Sequence, residues 1–125
     1  MATYSVLGSV QSISRGVHKY IWTSTGVQGV GKPLDIHSNA IMDLQVKFGT
    51  EGTSTVVIQG TNDTYDDAVS TGAWLTLSTV TGQAMSYTAG ALRVVNESPR
   101  HIRPNFSTVT TGNPVTVTMI TRVGV

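Results

Sequence analysis

The sequence predicts an all-β protein: an antiparallel β-sandwich of jelly-roll type with about eight strands. Apolar and polar residues alternate with period two along most of the chain, turn residues recur at short intervals, and no stretch carries a long helical period. Met42-Asp43-Leu44-Gln45-Val46-Lys47-Phe48 puts four apolar side chains on one face and three polar ones on the other. Val115-Thr116-Val117-Thr118-Met119-Ile120-Thr121-Arg122-Val123 repeats the pattern. Successive side chains of a strand point to opposite faces, so such runs build sheets with one buried side and one wet side.

Strands are expected near 4–13, 17–24, 33–37, 40–49, 54–61, 73–80, 91–96, 101–108 and 114–123. Turn signals separate them: the glycine-rich run from Gly26 to Pro33, Gly49-Thr50-Glu51-Gly52, Asn62-Asp63, Gly82, Gly90, Ser98-Pro99 and Gly112-Asn113-Pro114. Short strands at this spacing read as a sandwich or barrel. An immunoglobulin-like sandwich is the second choice, and the Cys…Trp…Cys core usual in it is missing. Pro104 cannot donate to a ladder, so the strand holding it is expected at a sheet edge or with a bulge. The only helical candidate is Thr64–Thr71, with Asp66 or Asp67 as a cap and Gly72 as a stop.

The 125 residues make one domain, 1–125, large enough to fold without staples. Absence of cysteine excludes disulfides and thiolate metal sites and fits a reducing compartment. Charged residues are 12% of the chain, about half the usual share, and the net charge is +1 with cations scattered singly. That distribution offers no stripe for a phosphate backbone, so nucleic acid is not an expected partner. Polar surface must come from hydroxyls, with 19 Thr and 12 Ser in the chain. No apolar run approaches the ~20 residues of a membrane span, and the start shows no secretory signal, so no membrane partner is expected. The segment Gly26-Val27-Gln28-Gly29-Val30-Gly31 could let residues 1–25 act as an arm that adds a strand to a neighbouring subunit. A plain intramolecular loop is the alternative.

Chemistry is sparse. His18, His37 and His101 lie in separate segments and match no zinc spacing. No Gly-x-Ser-x-Gly elbow exists, and three of the seven carboxylates, Asp63, Asp66 and Asp67, crowd into one loop. No enzyme, cofactor, resident metal or small-molecule substrate is expected. The Thr61–Asp67 loop has oxygens for a hard cation but lacks the alternating spacing that wraps one, and reads as an Asx-type turn. Three N-glycosylation patterns begin at Asn62, Asn96 and Asn105, as expected by chance in a hydroxyl-rich chain.

The aromatic and cationic residues give the candidate contacts. Alternation puts Tyr20 and Trp22 on the face opposite Ile21. With Ile21 inward they become contact anchors; with Ile21 outward they are core. Arg100 and Arg103 flank His101 and could bind a partner's carboxylates. Trp74 with Asn62 and Asp63 could instead present an aromatic platform and polar groups to a sugar.

Val56-Val57-Ile58-Gln59-Gly60-Thr61-Asn62-Asp63 followed by Trp74-Leu75-Thr76-Leu77, with Arg100-His101-Ile102-Arg103-Pro104 later, resembles a recurring β-sandwich pattern over roughly residues 54 to 123. Small jelly-roll proteins on the outside of tailed-phage heads show it, and discoidin-like binding modules share it more weakly. Length, missing cysteine and Thr/Val/Gly-rich composition favour the phage side. What the resemblance implies is a capsid decoration, or cement, protein: a virion component made in the host cytoplasm that bridges major capsid subunits on the capsid exterior. Such a protein would also associate with itself, as a dimer or trimer. The alternatives are a carbohydrate-binding module for host recognition and a tail or neck accessory ring. The resemblance transfers no functional residue, because its matched positions are structural.

Overall fold

The computed structural model describes residues 6–14, 16–26, 28–35, 40–62, 74–97, 99–109 and 113–123. Eleven strand segments form two antiparallel sheets. They are β1 (Gly8–Ser14), β2 (Val17–Ser24), β3 (Gly29–Val30), β4 (Leu34–Asp35), β5 (Ala40–Phe48), β6 (Thr55–Thr61), β7 (Leu75–Thr76), β8 (Ser86–Tyr87), β9 (Ala91–Val94), β10 (His101–Thr108) and β11 (Val115–Val123). One sheet runs β1-β2-β11-β5-β9. In the other, β10 and β6 pair centrally, with β3 and β4 along the far side of β10 and β7 and β8 along the far side of β6. The chain crosses between sheets at most connections, the double Greek-key weave of a jelly roll. Segments exceed eight because two positions are each split into short pieces and β1 adds an outer strand. The Thr64–Thr71 helix candidate lies outside the described residues.

The sandwich forms because the apolar face of each strand has only the opposite sheet to bury against. From the five-stranded sheet come Tyr20, Trp22, Met42, Leu44, Val46, Val115, Val117 and Met119. From the other come Val56, Ile58, Ile102 and Phe106, with Leu77 and Met85 beside them. Register fixes the set: Val117 pairs with Trp22 on one side and Val46 on the other, so core residues stand in rows across strands.

Both flanks of the sandwich are stitched. On one flank the Trp22 indole Nε1–H donates to the Lys32 carbonyl at 2.9 Å, while the Gly31 amide donates to the Pro104 carbonyl at 2.8 Å in the opposite sheet. On the other, the hairpin between Leu77 and Met85, which joins β7 to β8, lies against β6. Ile58 holds its base, accepting from the Leu77 amide and donating to the Met85 carbonyl, both at 2.9 Å. The same hairpin reaches the first sheet, where the Asn96 amide donates to the Ser78 carbonyl at 2.8 Å.

Pro104 corrects an expectation. Its strand is interior, paired to β6 on one side and to β3 and β4 on the other, and its own bulge lies between Phe106 and Thr108. The break falls in the neighbouring chain instead. Asn105 faces Val30 and Ile102 faces Leu34, so the partner segment uses one residue more than β10 over the same span. Opposite Ile58 the proline nitrogen has no ladder duty, since Ile58's own amide and carbonyl both turn to the Leu77–Met85 hairpin. The missing donor therefore costs the sheet nothing.

Gly31 sits at a tight crossing of the two sheets. A Cβ there would lie 2.8 Å from Pro104 Cγ and 3.0 Å from Trp22 Cδ1. Gly31→Ala should therefore lower stability by about 1–3 kcal/mol, read as a lower urea midpoint with an unchanged slope.

Candidate functional site

The densest polar and aromatic cluster lies on the outer face of the sheet containing β10. The Arg103 guanidinium stacks over the Trp74 ring, 4.1 Å from its centroid, and its Nε–H donates to Gln59 Oε1 at 3.0 Å. Register explains the meeting: Arg103 faces Gln59 across β10 and β6, Gln59 faces Thr76 across β6 and β7, and Trp74 shares the Thr76 side of its strand. His101 and Thr61, opposite one another, are buried beside them. At the same corner the Arg100 amide donates to Asn62 Oδ1 at 2.9 Å.

The candidate residues thus fare differently. Arg100 is exposed; Arg103 is only 8% exposed and is held by Trp74 and Gln59. Reading Arg103 as a surface cation for a partner's carboxylate is overturned, because its charge is already engaged within the chain. Tyr20 and Trp22, 2% and 1% exposed, are core residues and not outward anchors. Ile21 takes the outer face, since β2 packs its wide aromatics into the deepest part of the sandwich. Trp74 is half-buried with one ring face taken by Arg103, and the Asn62 side-chain oxygen is engaged by Arg100. Asp63, and with it the Asp63–Asp67 part of the acidic loop, lies outside the described residues. The structure joins Arg103 and Trp74, which the sequence had divided between a protein contact and a sugar contact, and sets Asn62 against the Arg100 backbone.

Among the described residues, no three His, Asp or Glu side chains gather as a metal site. His18 is in the five-stranded sheet and His101 in the other, while His37 is outside the described residues. The Tyr87 hydroxyl is buried without a hydrogen-bond partner among the described residues. Burial pushes its pKa up, Arg93 drawing it partly back, so it stays protonated and chemically quiet.

A second feature is apolar. Seven large hydrophobic residues are exposed among the described ones, and six of them collect at the two lateral edges of the five-stranded sheet. Leu7, Val10 and Ile13 lie along or beside β1; Leu92 and Val94 lie on β9, with Val80 against them through its amide bond to the Val94 carbonyl. Leu92 forms a ridge between two shallow hollows. One, of about 450 Å³, is lined by Asp43, Val94, Ile120 and Arg122; the other, of about 420 Å³, by Gln45, Phe48, Glu51 and Ala91. The Asp43–Arg122 ion pair borders this edge on the outer face. Sequence reasoning missed these residues because what marks them is register: Leu92 and Val94 pair with the polar Gln45 and Asp43, not with the core side of β5.

Glu97 ties the β9 edge to the hairpin. Its carboxylate accepts from the Ser78 amide at 2.8 Å and from the Ser78 hydroxyl at 2.6 Å. Partial burial works against the charge, but the Ser78 hydrogen bonds prevail and hold its pKa below the usual value.

Comparison of the chain with protein families, with curated proteins and with solved structures finds no match. The class that fold and surface define is an antiparallel jelly-roll sandwich with a stacked arginine–tryptophan cluster on one face and two apolar edges on the other sheet.

Two outcomes are expected. Arg103→Lys, which can neither stack as a plane nor donate from Nε, should cost about 1–2 kcal/mol in a urea titration. The depressed Glu97 pKa adds stability that is fully present above its unfolded value of 4.5 and is lost as pH falls through the folded pKa. Glu97→Gln should therefore lower the melting temperature at pH 7, and the gap to wild type should shrink on acidification below about pH 4.5.

Proposed function

We propose that the protein is a non-enzymatic structural component that binds the outside of a phage capsid and stabilises it by bridging major capsid subunits. The observation that carries this reading is the placement of apolar surface at two opposite edges of one sheet. Those edges stand four strand spacings apart, roughly 19 Å, so one molecule can touch two neighbours at once. Bridging turns modest contacts into a strong hold, because each further contact forms at high effective concentration. The low charge and hydroxyl-rich exterior support close packing against protein.

The rival reading, a carbohydrate-binding module centred on Trp74 and Asn62, has a half-exposed aromatic in its favour. Against it stand the Arg103 side chain on one face of that ring and the Arg100 amide on the Asn62 oxygen. Selective glycan-array hits that vanish in Trp74→Ala would reverse the ranking.

Added to bare heads of the matching virus, the protein should bind saturably and raise their melting temperature. Leu92→Asp should weaken that binding tenfold or more while leaving the protein's own melting temperature within a few degrees. Failure to bind any matching capsid would overturn the proposal.

A further inference from the structure

The two apolar edges differ in how they are finished. The β9 edge is short, carries Arg93, and is partly covered by the hairpin through Val80. The β1 edge has none of these protections. Its seven residues, Gly8-Ser9-Val10-Gln11-Ser12-Ile13-Ser14, contain no charge and no proline, and no described strand pairs with them on the side away from β2. The bulge in β1 is confined to its end, between Ser12 and Ser14, leaving Gly8–Ser12 in regular pairing. Natural edge strands are ordinarily blunted by charge, proline, bulge or cover, because an open row of amides and carbonyls is a template for another strand.

What would suit this edge can be read from its own side chains. Leu7, Val10 and Ile13 are its exposed apolar residues, Val10 being 50% exposed because its strand overhangs the other sheet. They are spaced evenly about Val10. Ser9 and Gln11 flank Val10, and Gly8 and Ser12 lie one step further out. The segment is therefore close to palindromic: apolar, small, polar, apolar, polar, small, apolar. An antiparallel strand pair with a two-fold axis reverses one copy against the other, which is the operation that maps such a pattern onto itself.

We infer that β1 pairs with β1 of a second copy, antiparallel and centred on Val10, to give a continuous ten-stranded sheet across a two-fold axis. In that register Val10 faces Val10 and Ser9 faces Gln11 within the regular stretch, while Leu7, just before β1, comes beside Ile13 at the other copy's bulge. Apolar side chains meet apolar ones, polar meet polar, and no like charges are opposed. Any face-matching shift from this centre moves Leu7 and Ile13 off each other. A single strand pair about 20 Å long is below the size of a standard stable interface, so the dimer forms in a concentration-dependent way. Dimerisation would use the β1 edge, so a dimer seated on a capsid would bridge subunits through the two β9 edges at the ends of the joined sheet.

The inference stands apart from the capsid reading, because it concerns the isolated protein. Sedimentation of the whole chain should show a monomer–dimer equilibrium, and Val10→Lys should shift it to monomer at least tenfold in dissociation constant. Leu92→Lys, on the other edge, should leave it unchanged, with circular dichroism and melting establishing that both variants fold. The register has its own readout, since the chain has no cysteine. Facing Cα atoms of an antiparallel pair lie about 4.5–5.5 Å apart, within disulfide reach. Val10→Cys should cross-link to a dimer under mild oxidation, whereas Gln11→Cys, which faces Ser9 of the other copy, should not. A monomer at every concentration, a dimer indifferent to Val10→Lys, or cross-linking through Gln11→Cys in place of Val10→Cys would each overturn it. A protein that dimerises so and ignores capsids would keep this inference and lose the proposed function.

Discussion

The close crossing of Trp22, Gly31 and Pro104 is the constraint on which the remaining architecture depends. Trp22 is the largest fully buried side chain, and its indole hydrogen bond reaches across to the link between β3 and β4 in the other sheet. That connection is in turn bonded to Pro104 in the middle of the second sheet. A bulky aromatic, a residue without a side chain and a residue without an amide hydrogen thus fit one another. The aromatic needs volume, the glycine allows approach, and the proline's absent donor faces the one place where the neighbouring chain breaks step. A sheet-to-sheet distance set here propagates along β2 and β10, which lie inside their sheets.

The opposite flank is built from a different material. There the stitching is backbone, running from Ile58 through the hairpin to Met42, Val94 and Asn96, with the Glu97 carboxylate as a charged clasp. One flank is closed by tight packing around two hydrogen bonds and the other by a longer run of them. The result is a sandwich whose faces carry little chemistry, and whose character lies at its margins. The apolar residues that did not enter the core sit at those margins, where strand pairing ends and the opposite sheet no longer covers them.

Much of the fold was legible. The long strands β2, β5, β6, β10 and β11 fall where alternation put them, because each has one face wholly committed to the core. The two-residue pieces β3 and β8 had no such signal, since their pairing comes from neighbours and not from their own pattern. Alternation also says which residues share a face, not which face turns inward. That ambiguity is why Tyr20 and Trp22 could be read as surface, with Ile21 an equally apolar alternative. For the site, Arg103 and Trp74 were both visible as unusual residues, yet their contact depends on three strands lying in register. Pro104 failed as an edge marker because the rule concerns the donor and not the strand; the donor's place was vacated by the partner segment.

The central position of β11 has a consequence for how the molecule comes into being. This strand is the last in chain order, yet it lies between β2 and β5 and supplies Val115, Val117 and Met119 to the interior. Until residues 115–123 have been made, the β1–β2 and β5–β9 pairs lack the strand that joins them, and the first sheet remains two separate halves. Joining those halves therefore waits on a strand far from both in sequence, as expected for a topology dominated by distant pairings.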